Sequence, residues 1–154
     1  MNDIPENTVS TPTSDERLLS LLCHLSSLLG GIILPIIIWA TQKDKSKFVR
    51  FHSLQAIFFH LSIAVIIIIF VFIFLVILFA GIGFSNPDKI SSQENLPPIM
   101  IFLMIIFYGG IFIFVIAFLA YSVYLAVKAY NGELIKIPVL GNIFYRKVYE
   151  DNRN

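Results

Sequence analysis

Three histidines, His24, His52 and His60, are the residues of this chain best suited to chemistry. Imidazole titrates near neutrality, so such a set could relay protons or hold a metal. Ionisable groups inside apolar segments are functional candidates by default. A zinc site, however, wants three or four ligands, and no cysteine or carboxylate stands at a matching spacing. Asp44 is the carboxylate nearest His52 in sequence, and it sits among lysines that neutralise it. Cys23 is the single cysteine. It cannot form an internal disulfide, and a thiol in apolar surroundings is inert. No Ser/His/Asp set can be assembled, and no Gly-rich phosphate loop is present. The expectation is therefore structural. His24 hydrogen-bonds across helices, and His52 and Gln55 cap a loop at the headgroups. No enzyme activity, cofactor, metal or catalytic residue is expected.

The elements that position these residues are long and apolar. Of the 154 residues 57% are hydrophobic and only 14% charged, against about 25% charged in an ordinary soluble domain. The mean hydropathy is +0.83. Runs such as Ile66-Ile-Ile-Ile69 would aggregate in water and are ordinary in lipid. A net charge of +1 gives no reason to expect a nucleic-acid partner. The pattern predicts an all-α integral membrane protein with three transmembrane helices, at about residues 18–40, 54–84 and 99–127. Residues 1–14 read as a disordered polar tail, and residues 15–150 as a single membrane domain. Ser14 is the expected N-cap of the first helix, ahead of Asp15 and Glu16.

The first segment is kinked or broken at Gly30-Gly31 and Pro35. Ser20, His24, Ser27 and Gly31 share one helix face, a small and polar one. With Pro35, and with Gly110 and Ala117 of the third segment, they form the candidate packing face. The second segment starts with His52, Gln55, His60 and Ser62 on one half of its wheel. It is too long to fit the hydrocarbon by tilt alone, so its first turns are expected among the headgroups. Trp39, Tyr121, Tyr124 and Lys128 are the expected interfacial anchors. Asn131-Gly132 closes the third helix. A short amphipathic helix over about residues 138–150 then lies on the membrane surface, with Arg146 and Lys147 toward anionic headgroups.

Topology follows from the basic loop Lys43-Asp-Lys-Ser-Lys-Phe-Val-Arg50. Lys43, Lys45, Lys47 and Arg50, followed by His52 and Gln55, are its candidate contacts with cytoplasmic partners. With three spans, nine Lys and Arg lie on the side of this loop and the C-terminus and two on the other. The C-terminus is then cytoplasmic and the N-terminus outside. In the rival topology the first segment is a re-entrant hairpin bent at Gly30-Gly31, and the N-terminus is inside as well.

His24-Leu-Ser26, Pro35-Ile-Ile-Ile-Trp39, the basic loop with His52, and Gln55-Ala56 together resemble small bacterial multi-pass membrane proteins of unknown function. These are relatives of the Tic-twenty subunit of the chloroplast inner-envelope import machinery. Ala129-Tyr-Asn-Gly132 followed by Pro138 is similar to that family's ending. The resemblance implies an inner-membrane location and no known enzymatic activity. The expected function is a scaffold or subunit of a membrane assembly, and the alternative is a transport or protein-translocation component. The expected partners are the lipid bilayer, anionic lipids included, and other membrane proteins or further copies of the chain.

Overall fold

The computed structural model describes residues 11–29, 31–83 and 98–150. The tail up to residue 10, Gly30 and the polar loop expected at residues 85–97 lie outside the described residues. Among the described residues five α-helices follow in order: α1 (Ser14–Leu29), α2 (Ile33–Gln42), α3 (Lys47–Gly83), α4 (Pro98–Tyr130) and α5 (Leu140–Tyr145). A π-helical turn, Arg146–Glu150, continues α5. No strand occurs among the described residues. The chain divides into two units. One holds residues up to Phe59 and from Ser122 onward, and the other holds His60–Tyr121.

α1 begins one residue earlier than expected, because Thr13 caps it. The Glu16 N–H donates to Thr13 Oγ1 (3.3 Å), and the Thr13 N–H donates to Glu16 Oε2 (2.7 Å). This reciprocal pair satisfies two amides that the first turn leaves open. The break expected at Gly30-Gly31 and Pro35 splits the first apolar segment into two helices. Gly31 takes φ +71°, a conformation other residues resist, and its N–H returns to the Ser26 carbonyl. α1 is 16 residues long and α2 is 10, so they measure about 24 Å and 15 Å. Neither alone matches a hydrocarbon core of about 30 Å. The first apolar segment is thus two short helices joined at the glycine turn.

α1 starts beside the start of α3 and runs along it. Ser46 caps α3 by accepting the Val49 N–H (3.2 Å), and its hydroxyl is the group that most strongly holds the Glu16 carboxylate. Further on, Cys23, Ile38, Val49 and Ala56 form one buried cluster drawn from α1, α2 and α3. α2 then leads back to the basic loop. The far end of the unit closes in the same region. Gly132 ends α4 as expected, with the Glu133 N–H donating to the Lys128 carbonyl. A Cβ on Gly132 would lie 3.2 Å from Arg17 Nε and from Pro12 Cγ, so the start of α1 rests against the end of α4.

A second buried cluster joins Phe51 and Leu54 of α3 to Phe144 and Val148. Phe51 meets Tyr145 and Tyr149 edge-on, and those two tyrosines stack on each other. Burial and the neighbouring Tyr145 and Glu16 push the Tyr149 hydroxyl up to about 12. The turn that feeds α5 is strained. Val139 has φ 67° and ψ −62°, and the Leu140 N–H donates to the Pro138 carbonyl two residues back. That is a γ-turn of the rare hand, on a β-branched residue. Gly141 permits it, because a Cβ there would fall 2.5 Å from the Lys136 Cα.

The other unit is a pair of antiparallel helix segments. Phe70 and Phe74 of α3 stack on Phe107 of α4, and His60 meets Phe118 edge-on. Most of the other large apolar side chains described here are exposed, including Ile68, Phe72, Phe79, Ile105 and Phe112, and most of the rest are half-buried. A soluble core helix would bury them, whereas lipid accepts them. α3 and α4 are each long and apolar enough to cross a membrane.

Two substitutions test this account of the α5 turn. Gly141→Ala should destabilise the fold by about 2 kcal/mol, since backbone must move to admit the methyl group. Val139→Gly should stabilise it by about 1 kcal/mol through relief of strain. The buried Cys23 is the only thiol, so its reaction with a thiol dye during heating in detergent reports both changes.

Candidate functional site

The polar residues singled out in the sequence gather in the interior of the first unit. His24 of α1 and His52 of α3 are both buried, with Nε2 of His24 3.2 Å from Nδ1 of His52. Their rings meet edge-to-face at 5.4 Å. Phe48 and Phe51 wall His52 on two further sides. The second ring nitrogen of His52 faces the Glu133 backbone without a well-formed hydrogen bond. The pair therefore bridges α1 to α3, as expected for His24. His52, expected as a cap of the basic loop, is wholly buried within this unit.

Gln55 is likewise interior rather than part of a loop surface. Its Nε2 donates to the Ile135 carbonyl (3.0 Å), and its Oε1 accepts the Ile137 N–H (2.8 Å). One primary amide thus satisfies both polar groups of an extended backbone stretch, in the way a neighbouring strand would. It ties the segment between α4 and α5 onto α3. Such a buried amide loses little by folding when both ends are met, and costs much when they are not.

Of the expected packing face, Ser20, His24 and Pro35 are buried in the first unit, Ser27 is half-buried with its hydroxyl on the His24 carbonyl, and Gly31 forms the turn. Gly110 and Ala117 belong to the other unit. Gly110 lines an apolar crevice of about 230 Å³ with Ile66, Ile67, Phe70, Ile111 and Phe114. The crevice exists because nothing lies within 4 Å of where a Gly110 side chain would begin. Ala117 is exposed.

In the basic loop Lys43, Lys45 and Lys47 are exposed and Arg50 is half-buried. Trp39 joins the Phe51 cluster, with the Lys43 ammonium 5.5 Å above its ring. Tyr121 is half-buried and Tyr124 exposed. Lys128 pairs with Glu133 at 3.0 Å, and the exposed Arg146 with Glu150 at 3.5 Å. Lys147 is exposed as well. His60 lies apart from the other two histidines, in the second unit. Among the described residues no three His, Cys, Asp or Glu stand close enough to hold a metal.

This is an all-helical protein with two long apolar helices whose surfaces are exposed, the makeup of a membrane protein, with its polar side chains turned inward. Residues 15–144 match the model of the magnetosome magnetite crystal formation protein family, and the chain belongs to that family. The small bacterial membrane family expected from the sequence is therefore this one, and nothing supports a link to the Tic-twenty subunit or its import role. No curated protein and no solved structure matches the chain. Family membership points to a membrane role.

The two arrangements give separate tests. Gln55→Leu should cost about 2–4 kcal/mol, because it strands the Ile137 N–H and the Ile135 carbonyl in the interior. Cys23 should then react with thiol reagents at lower temperature. Glu16 titrates below the usual carboxylate range, chiefly through the Ser46 hydroxyl and then Thr13. Its contribution to stability is present above that range and is lost as pH falls through its lowered pKa. Glu16→Gln should flatten this acid limb in melting curves taken from neutral pH downward. The effect is small, because the carboxylate is largely exposed.

Proposed function

We propose that the protein is a non-enzymatic scaffold of a membrane assembly, anchored by two spans. α3 and α4 cross the bilayer, and α1 and α2 form a re-entrant hairpin that enters partway and returns to the basic loop. The observation that carries this reading is the interior use of the polar residues. His24, His52 and Gln55 join helices and backbone to one another instead of facing a substrate path.

Two facts favour the re-entrant hairpin over three spans. Glu16 lies beside Ser46 and Arg17 beside Gly132, so the start of α1, the basic loop and the end of α4 share one side. On that count ten Lys and Arg lie on this side, and Lys89 alone on the other. This is more lopsided than nine against two, and it makes the shared side cytoplasmic. The protein would then sit in the cytoplasmic membrane with both termini inside.

The family's name concerns magnetite crystals in magnetosomes. For this chain we take that as a place of work. The described residues offer a platform for neighbouring membrane proteins or further copies, and the exposed lysines of the basic loop are the contact on the cytoplasmic side.

Single cysteines at Thr13, Lys45, Asp88 and Glu133, in a Cys23→Ala background, test the topology with an impermeant thiol reagent. Positions 13, 45 and 133 should label from the cytoplasmic face only, and 88 from the outside only. Labelling of 13 and 45 from opposite faces would restore three spans. Crosslinking in native membranes should recover a stable protein neighbour. Ion or peptide flux through the purified protein in liposomes would sink the scaffold reading.

A further inference from the structure

The α5 turn displays apolar side chains that the fold does not use. Val139 is 75% exposed and Ile143 is 54% exposed. Val139 is also the strained residue of the γ-turn, so the chain spends backbone energy to present a valine outward. The turn is firmly built all the same. Gly141 backs onto Lys136, and Gln55 pins Ile135 and Ile137 just ahead of it.

Its level along α3 can be read from three contacts. Tyr145 and Tyr149 meet Phe51, Ile135 and Ile137 meet Gln55, and Phe144 meets Phe58 at 4.9 Å. Seven residues of helix, about 10 Å, separate the first level from the last. The exposed basic residues Lys45 and Lys47 precede the first level. From Leu61 onward α3 carries exposed Leu, Val, Ile and Phe side chains. Phe144, and with it the neighbouring Ile143, thus lies at the level where α3 turns from polar to apolar. Lys147 and Arg146 follow toward the basic level. Lys136, exposed, lies against Tyr145 with its ammonium 3.6 Å above the ring.

We propose that Val139 and Ile143 form a foot that enters the cytoplasmic leaflet beside α3, while Lys136 and Lys147 hold it there on anionic phospholipid headgroups. The inference rests on the two-span membrane reading above. Apolar tips supply burial in the acyl boundary and lysines supply attraction to negative headgroups, the combination that retains interfacial elements. The strained turn aims both apolar tips without lengthening the segment.

The full chain, Cys23→Ala, with an environment-sensitive fluorophore on Val139→Cys or Ile143→Cys, would be reconstituted in two kinds of vesicle. One is phosphatidylcholine alone, and the other is mixed with phosphatidylglycerol. A probe on Phe72→Cys, an exposed mid-α3 position, serves as reference. In the mixed vesicles a shallowly brominated lipid should quench the foot probe by about half or more, as for a group 5–10 Å into the boundary. Lys136→Gln with Lys147→Gln should return the probe to aqueous quenchers while leaving Cys23, in the native-thiol chain, protected. A foot probe open to water in both vesicles, with the Phe72 probe in lipid, overturns the foot alone. Both probes in water would overturn the membrane reading too. Insertion indifferent to lipid charge and to the two lysines would overturn the headgroup contact.

Discussion

Polar groups inside apolar surroundings must find partners within the chain. An unmet amide or hydroxyl costs on the order of 2–7 kcal/mol there, comparable with much of a domain's net stability. The first unit is arranged around that demand. His24 meets His52, Gln55 meets two backbone groups, Ser46 links Glu16 to the start of α3, and Thr13 and Glu16 close the open amides of α1. The first three of these tie one element to another, and the last closes α1 on itself. Among its described residues the second unit presents mainly Ile and Phe side chains, of which lipid asks nothing polar.

Composition and long apolar runs made the helical, lipid-facing character plain, and Gly31, Gly132 and the start of α4 fall where turn chemistry puts them. The division of the first segment was half legible. The glycines and proline announced a break, but 23 apolar residues match a bilayer so well that a kinked span and a hairpin look alike in one dimension. The contact of Arg17 with Gly132, which favours the hairpin proposed above, joins residues far apart in the chain and is not encoded in periodicity. The burial of His52 and Gln55 is illegible in the sequence for a similar reason. Beside four basic residues they resemble a headgroup cap, and only the return of residues 134–149 onto α3 encloses them. The capping box at Thr13–Glu16 was readable as Thr-x-x-Glu, one residue ahead of the Ser14 that attracted attention.

The family assignment and the geometry bear on the same question from different sides. The match covers residues 15–144, which takes in α1 through most of α5. Both buried clusters of the first unit draw almost wholly on that stretch. The polar interior, with His24, His52 and Gln55, lies within the matched portion.

The Gln55 amide also has a bearing on biosynthesis. Its partners lie 80 and 82 residues downstream. At about 5–20 residues per second, a nascent chain carries Gln55 for some 4–16 s before Ile137 leaves the ribosome. For that interval the polar half of α3 has to be sheltered by water at the membrane border or by the insertion machinery. The closing segment arrives last, and a chain that stops short of it leaves the Gln55 amide unmet.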